Sequence, residues 1–166
     1  MVDMSAADGP GEAGFEQADL IGSWQLAGVE LTGEDAANGP APFGGRPEGT
    51  LHYLADGRMA VIIQSADRPP IPGGRRGGSN AEWRLAARSF TAYAGTYSIL
   101  PGRIVHHVEM NSFPNDQGVD YVRIAHLVNQ CLWLETPPDL PADQRPMRGW
   151  SGSDIQVPEA SEKDRV

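Results

Sequence analysis

Apolar and polar positions alternate along most of this chain in short runs broken by turn residues, the pattern of antiparallel strands with one face buried. The runs cover residues 20–26 (continuing through Val29 and Leu31), 49–54, 58–64, 95–100, 103–111, 119–128 and 131–136, with a last short run at 147–151. Asp56-Gly57, Pro101-Gly102 and Asn129-Gln130 separate neighbouring runs. Each pair favours a tight hairpin, Asp-Gly most strongly because it accepts positive φ angles at low cost. Spacing of this kind predicts an all-β barrel or sandwich.

One segment departs from the two-residue period. Residues 68–78 hold too many Pro and Gly residues for a helix or a central strand and are expected as a long loop. Ser79 or Asn80 then caps a helix, with Glu82 at its positive end. Trp83, Ala86, Ala87 and Phe90, continued by Tyr93 and Ala94, recur at spacings of three and four and form its apolar face. The loop and helix together, 68–93, are read either as a gate over a barrel mouth or as a plug in one end.

Length and charge then set the frame. A chain of 166 residues suits one domain. The net charge of −9 is concentrated at the ends: −5 falls on residues 1–19 and −2 on 154–166, leaving −2 for 20–153. The ends are expected to be acidic tails, disordered before residue 20 and flexible after residue 153, around one barrel. Without a clustered basic face, nucleic acid is not expected as a partner. No apolar run is long enough to cross a bilayer, and the first 19 residues have no signal-peptide pattern. The single cysteine, Cys131, is expected as a buried structural thiol. A cytoplasmic location follows from these readings, and a homodimer is compatible with them.

Reactive side chains are densest in residues 104–111. On a strand His106 shares a face with Ile104, Val108 and Met110, whereas His107 shares the other with Val105, Glu109 and Asn111. His106 is thus the candidate for the barrel interior, as a ligand partner or proton shuttle. The competing reading is a core histidine satisfied by a backbone group. His107 and Glu109 are candidates as a base with its orienting carboxylate or as ligand contacts. As a metal pair, with His52 or His126, they lack well-spaced further ligands, and no metal is expected. Arg123 is expected on the solvent face; turned inward beside Tyr121, it would bind a carboxylate or enolate oxygen. Tyr53, Tyr97 and Tyr121 offer phenolic groups, and Trp133 and Trp150 apolar walls. No nucleophile elbow, phosphate or dinucleotide fingerprint or zinc spacing is present in the sequence, so no cofactor is expected.

Several segments resemble one known family in the same order. They are Leu20-Ile21-Gly22-Ser23-Trp24-Gln25-Leu26, Gly49-Thr50-Leu51-His52-Tyr53 with Asp56-Gly57-Arg58-Met59, Tyr93-Ala94-Gly95-Thr96-Tyr97, His106-His107-Val108-Glu109 with Phe113-Pro114-Asn115, and Leu132-Trp133-Leu134-Glu135-Thr136-Pro137-Pro138. From about residue 20 to residue 150 the chain is similar to the bacterial and fungal lipocalin-like domain family. The resemblance implies an antiparallel calycin-type β-barrel, here with one short helix, and places Trp24 at a closed end with Arg148 stacked on it. His52 and the glycine-rich 72–78 insertion depart from the family's pattern. Fold alone does not fix activity. Two functions are expected from the combined reading. One is a cofactor-free cyclase, isomerase or dehydratase acting on an apolar natural-product intermediate, with His106, Tyr97 and Arg123 handling a proton or a developing charge. The other is a non-catalytic carrier or sensor of a small apolar or amphipathic molecule.

Overall fold

The computed structural model describes residues 14–29, 42–137 and 155–156. The expected run at 147–151, with Arg148 and Trp150, lies outside the described residues.

Each turn signal joins two antiparallel strands. Strands β1 (Gly22–Gln25), β2 (Pro47–Tyr53), β3 (Arg58–Ser65), β4 (Phe90–Leu100), β5 (Arg103–Asn111), β6 (Asp120–Val128) and β7 (Cys131–Glu135) pair in sequence order. A two-residue strand β8 (Ile155–Gln156) bonds both β7 and β1 and closes the barrel. This closing strand falls within the stretch expected to be a flexible tail. The turns have the geometry their residues favour: Gly57 and Gly102 have φ of +83° and +65°, and Asn129 and Gln130 both have positive φ, as a two-residue primed turn demands.

The alternation seen in the sequence becomes the in–out alternation of the barrel wall. Leu51, Tyr53, Met59, Val61, Ile63, Ile104, Ala125 and Leu132 are buried. One end is sealed by a short helix α1 (Gln17–Leu20), formed within what the sequence suggested was a disordered tail. Asp19 accepts the free N–H of Glu16 at 2.7 Å, and Phe15 and Leu20 drop into the core, a gain available because two apolar residues flank the acidic ones. Trp24 is buried at this end, as the resemblance implied, and its indole N–H donates to the Leu20 carbonyl at 2.8 Å.

The other end is built differently. Helix α2 (Asn80–Arg88) begins at the expected cap, where the Ser79 hydroxyl accepts from the Glu82 N–H and the Glu82 carboxylate accepts from the Ser79 N–H. It stops at Arg88, and Phe90–Leu100 is strand, so Phe90, Tyr93 and Ala94 leave the proposed apolar helix face and pair with β3. β-forming residues Phe90, Thr91 and Tyr93 gain a full ladder there, which outweighs a fourth helical turn. No residue of α2 is buried. The helix therefore overhangs the barrel end and does not plug it. Because its first turn depends on the cap, Ser79→Ala should cost about 1 kcal/mol locally, read as faster amide exchange in 80–88 with little change in global unfolding.

Candidate functional site

Above the packed end, the barrel holds a cavity of about 510 Å³. Leu26, Leu51, Val61, Ile63, Phe90 and Leu134 supply an apolar wall. Arg84, Ala87 and Arg88 of α2, with Phe113 and Asp116 of the β5–β6 connection, bound the mouth.

Between cavity and packed end runs a stack of aromatic rings. Tyr97 and Tyr53 have ring centroids 4.7 Å apart, Tyr53 and His106 5.6 Å, His106 and Tyr93 5.8 Å, and Tyr93 meets Tyr121 edge-on at 5.1 Å. His106 is fully buried at the centre. Its Nε2 lies 2.6 Å from the Tyr53 hydroxyl and its Nδ1 3.1 Å from the Tyr93 hydroxyl. Burial, reinforced by the nearby Arg123 charge, pulls its pKa down to about 3, so the ring is a neutral imidazole. A neutral ring accepts at one nitrogen and donates at the other. The shorter contact assigns the Tyr53 O–H as donor to Nε2, and Nδ1–H then donates to Tyr93. That arrangement leaves the Tyr93 hydroxyl hydrogen unused toward His106, and Tyr93 lines the cavity. Burial also raises the pKa of Tyr53 and Tyr93, keeping both protonated.

Tyr121 lines the cavity beside them. Its hydroxyl donates to Asp116 at 2.6 Å and accepts from the Asn111 amide at 2.9 Å; partial burial and the Asp116 carboxylate raise its pKa. Arg123 also lines the cavity and is only 5% exposed, contrary to the expected solvent-facing placement. The parity of β6 decides this: Tyr121, Arg123 and Ala125 all face inward. Its guanidinium lies 5.1 Å from the Tyr121 ring centre and donates to the Val122 carbonyl at 2.9 Å.

The sequence candidates thus divide. Tyr121 and Arg123 line the cavity, while His106 and Tyr53 stand directly behind Tyr93. Tyr97 lies deeper, donating to the Leu54 carbonyl at 3.1 Å, and does not line the cavity. His107, Glu109 and Trp133 are corrected to the outer face, because each alternates with an inward residue. His107 donates from Nδ1 to Asp120 and accepts at Nε2 from Ser98, both at 2.8 Å. Glu109 pairs with Arg58 at 2.7 Å, not with His107. Trp133 lies opposite His126, beside the fully buried Leu132. Ser98, His107 and Asp120 repeat the order of a hydrolase triad, but they lie on exposed sheet whose strands are paired on both sides. Its N–H groups are spent in the ladder, and no oxyanion site is formed. His52 is likewise held between Ser23 and Thr50, and Cys131 is half-buried at the start of β7. Among the described residues no three His, Cys, Asp or Glu side chains gather as a metal site, and no helix is long and apolar enough to cross a membrane.

Tyr93, Asp116, Arg84 and Arg88 were not singled out in the sequence. The alternation of Thr91 and Tyr93 leading into Gly95 was the available sign for Tyr93; the helical spacing of the same residues masked it.

Comparison with known proteins agrees with this architecture. Over 67 residues, 36% of this chain and 60% of the relative, the sequence is 31% identical to the 4'-hydroxy-3'-methoxypropiophenone carrier protein ppsC of Aspergillus oryzae. The chain thus matches somewhat under two-thirds of that protein's length. The model of the lipocalin-like domain family matches residues 21–148, most of the barrel, and the chain belongs to that family.

Proposed function

We propose that this protein is a carrier that shelters a small, largely apolar molecule in the mouth half of its barrel. The carrying observation is the cavity of about 510 Å³, large enough for a one- or two-ring compound and walled mainly by Leu, Ile, Val and aromatic side chains. The relative's name, that of a carrier for an aryl ketone bearing a phenol, supports the same reading. The alternative of a cyclase or isomerase asks for a group that exchanges a proton near neutral pH. His106, held neutral with a pKa of about 3 and screened from the cavity by Tyr93, is poorly suited to that work.

The test is titration with 4'-hydroxy-3'-methoxypropiophenone by calorimetry or by quenching of intrinsic fluorescence. Saturable 1:1 binding is expected, with a Kd on the order of 10 μM for a ligand of this size. Val61→Trp, which fills the cavity from its wall, should abolish it. Recovery of a chemically changed compound after incubation would turn the assignment to an enzyme.

A further inference from the structure

Arg123 brings a buried charge into a mainly apolar cavity without an ion-pair partner among the described residues. Three ion pairs occur among the described residues, between Arg46 and Asp67, Arg58 and Glu109, and His107 and Asp120, and none involves Arg123. The one carboxylate among the described lining residues, Asp116, is engaged by the Tyr121 hydroxyl at 2.6 Å. Apart from the bond to the Val122 carbonyl, the guanidinium has no protein acceptor among these residues. A guanidinium carries five N–H donors in a rigid fork, and burying it is costly unless an anion answers it. Arg84 and Arg88 add positive charge at the mouth. Tyr93 and Tyr121 line the same space as the guanidinium, within a mainly apolar surround.

We propose that the ligand is a weak acid with an apolar ring body, bound as its anion with the acidic oxygen on Arg123. This rests on the carrier reading and sharpens it: the barrel selects ionised molecules over neutral ones of the same shape. A phenolate, an enolate and a carboxylate share the required chemistry, an oxyanion conjugated to an apolar body. Of the other groups around Arg123, His106 is neutral and Tyr53, Tyr93 and Tyr121 are protonated; the Asp116 carboxylate is tied to the Tyr121 hydroxyl, forms no ion pair with Arg123, and is outnumbered in the lining by Arg84, Arg88 and Arg123.

Two isosteric probes separate charge from shape: 2-naphthoate and 2-naphthamide. The wild-type protein should bind the naphthoate at least roughly tenfold more tightly. Arg123→Gln should reduce that preference to about twofold or less, and Arg123→Lys should restore part of it. A second readout needs no variant. The absorbance of 4-nitrophenol reports its ionisation, and the bound dye should ionise about one pH unit lower than the free dye. Equal binding of the two probes, or an unshifted dye, overturns the proposal and leaves the carrier reading standing. Binding of neither probe overturns both. Selective naphthoate binding that persists undiminished in a folded Arg123→Gln protein places the anion elsewhere and also overturns it.

Discussion

Gly95→Ala should lower the melting temperature by roughly 10 °C, the consequence of losing roughly 3 kcal/mol in a domain of this size. The cause is backbone geometry. Between Ala94 and Gly95 the β4–β5 register shifts by one residue, a bulge that brings Gly95 against its neighbour strand. A Cβ there would run into the His107 carbonyl oxygen, with the Glu109 nitrogen and the His107 carbonyl carbon each 3.0 Å away. None of these is the movable end of a side chain. β5 is held on both flanks by β4 and β6, so it cannot retreat without breaking ladder bonds. Gly102→Ala is the control: its φ of +65° penalises a side chain, but nothing lies near the added methyl, and the loss should stay near 1 kcal/mol. Thermal unfolding of the two variants compares steric with conformational cost. Equal shifts would mean that β5 yields to the methyl group.

The bulge also helps set which side chains reach the cavity. The extra residue lies in β5, where Glu109 is skipped in the pairing, so that Asn111 comes opposite Tyr93 while His106 stays opposite Tyr97. Strand alternation was legible in the sequence because period two survives wherever one face is wet; it set His106 and His107 on opposite faces and made His106 the better candidate for the interior. Turn chemistry was legible for the same local reason, in Asp56-Gly57 and Asn129-Gln130. What could not be read were the outcomes decided by distant partners. Arg123 has the pattern of a surface residue on a strand, and only the closing of the barrel turns β6 so that the guanidinium faces a cavity. The segment holding Phe90, Tyr93 and Ala94 satisfies helical spacing and strand propensity equally well, and the ladder offered by β3 decides between them. Phe15 sits among acidic residues whose composition suggested disorder, yet the barrel end gives its apolar side chain a place in the core beside Leu20. The family resemblance carried the architecture, but the cavity's polar end depends on tertiary pairing.

His106 should make the protein lose stability on mild acidification, and replacing it should remove that loss. In the folded state, burial and the Arg123 charge hold its pKa at about 3, whereas in the unfolded chain it titrates near 6.5. The unfolded state therefore takes up a proton that the folded state refuses. The stabilisation is fully present above pH 6.5 and is lost as pH falls from there toward about 3. The slope approaches 1.4 kcal/mol per pH unit in that window, so moving from about pH 7.5 to about pH 5 should cost roughly 2 kcal/mol through this residue alone. His106→Gln keeps one donor and one acceptor for Tyr53 and Tyr93 but cannot titrate. Urea unfolding of the two proteins at both pH values isolates the difference, because the carboxylates that also titrate are common to both. His106→Phe should instead be destabilised at every pH, by roughly 3 kcal/mol, since it strands two hydroxyls that now share one imidazole in the core. A wild-type and a glutamine variant that weaken in parallel on acidification would show that the ring is already charged or already wet, and the neutral His106 behind Tyr93 would have to be abandoned.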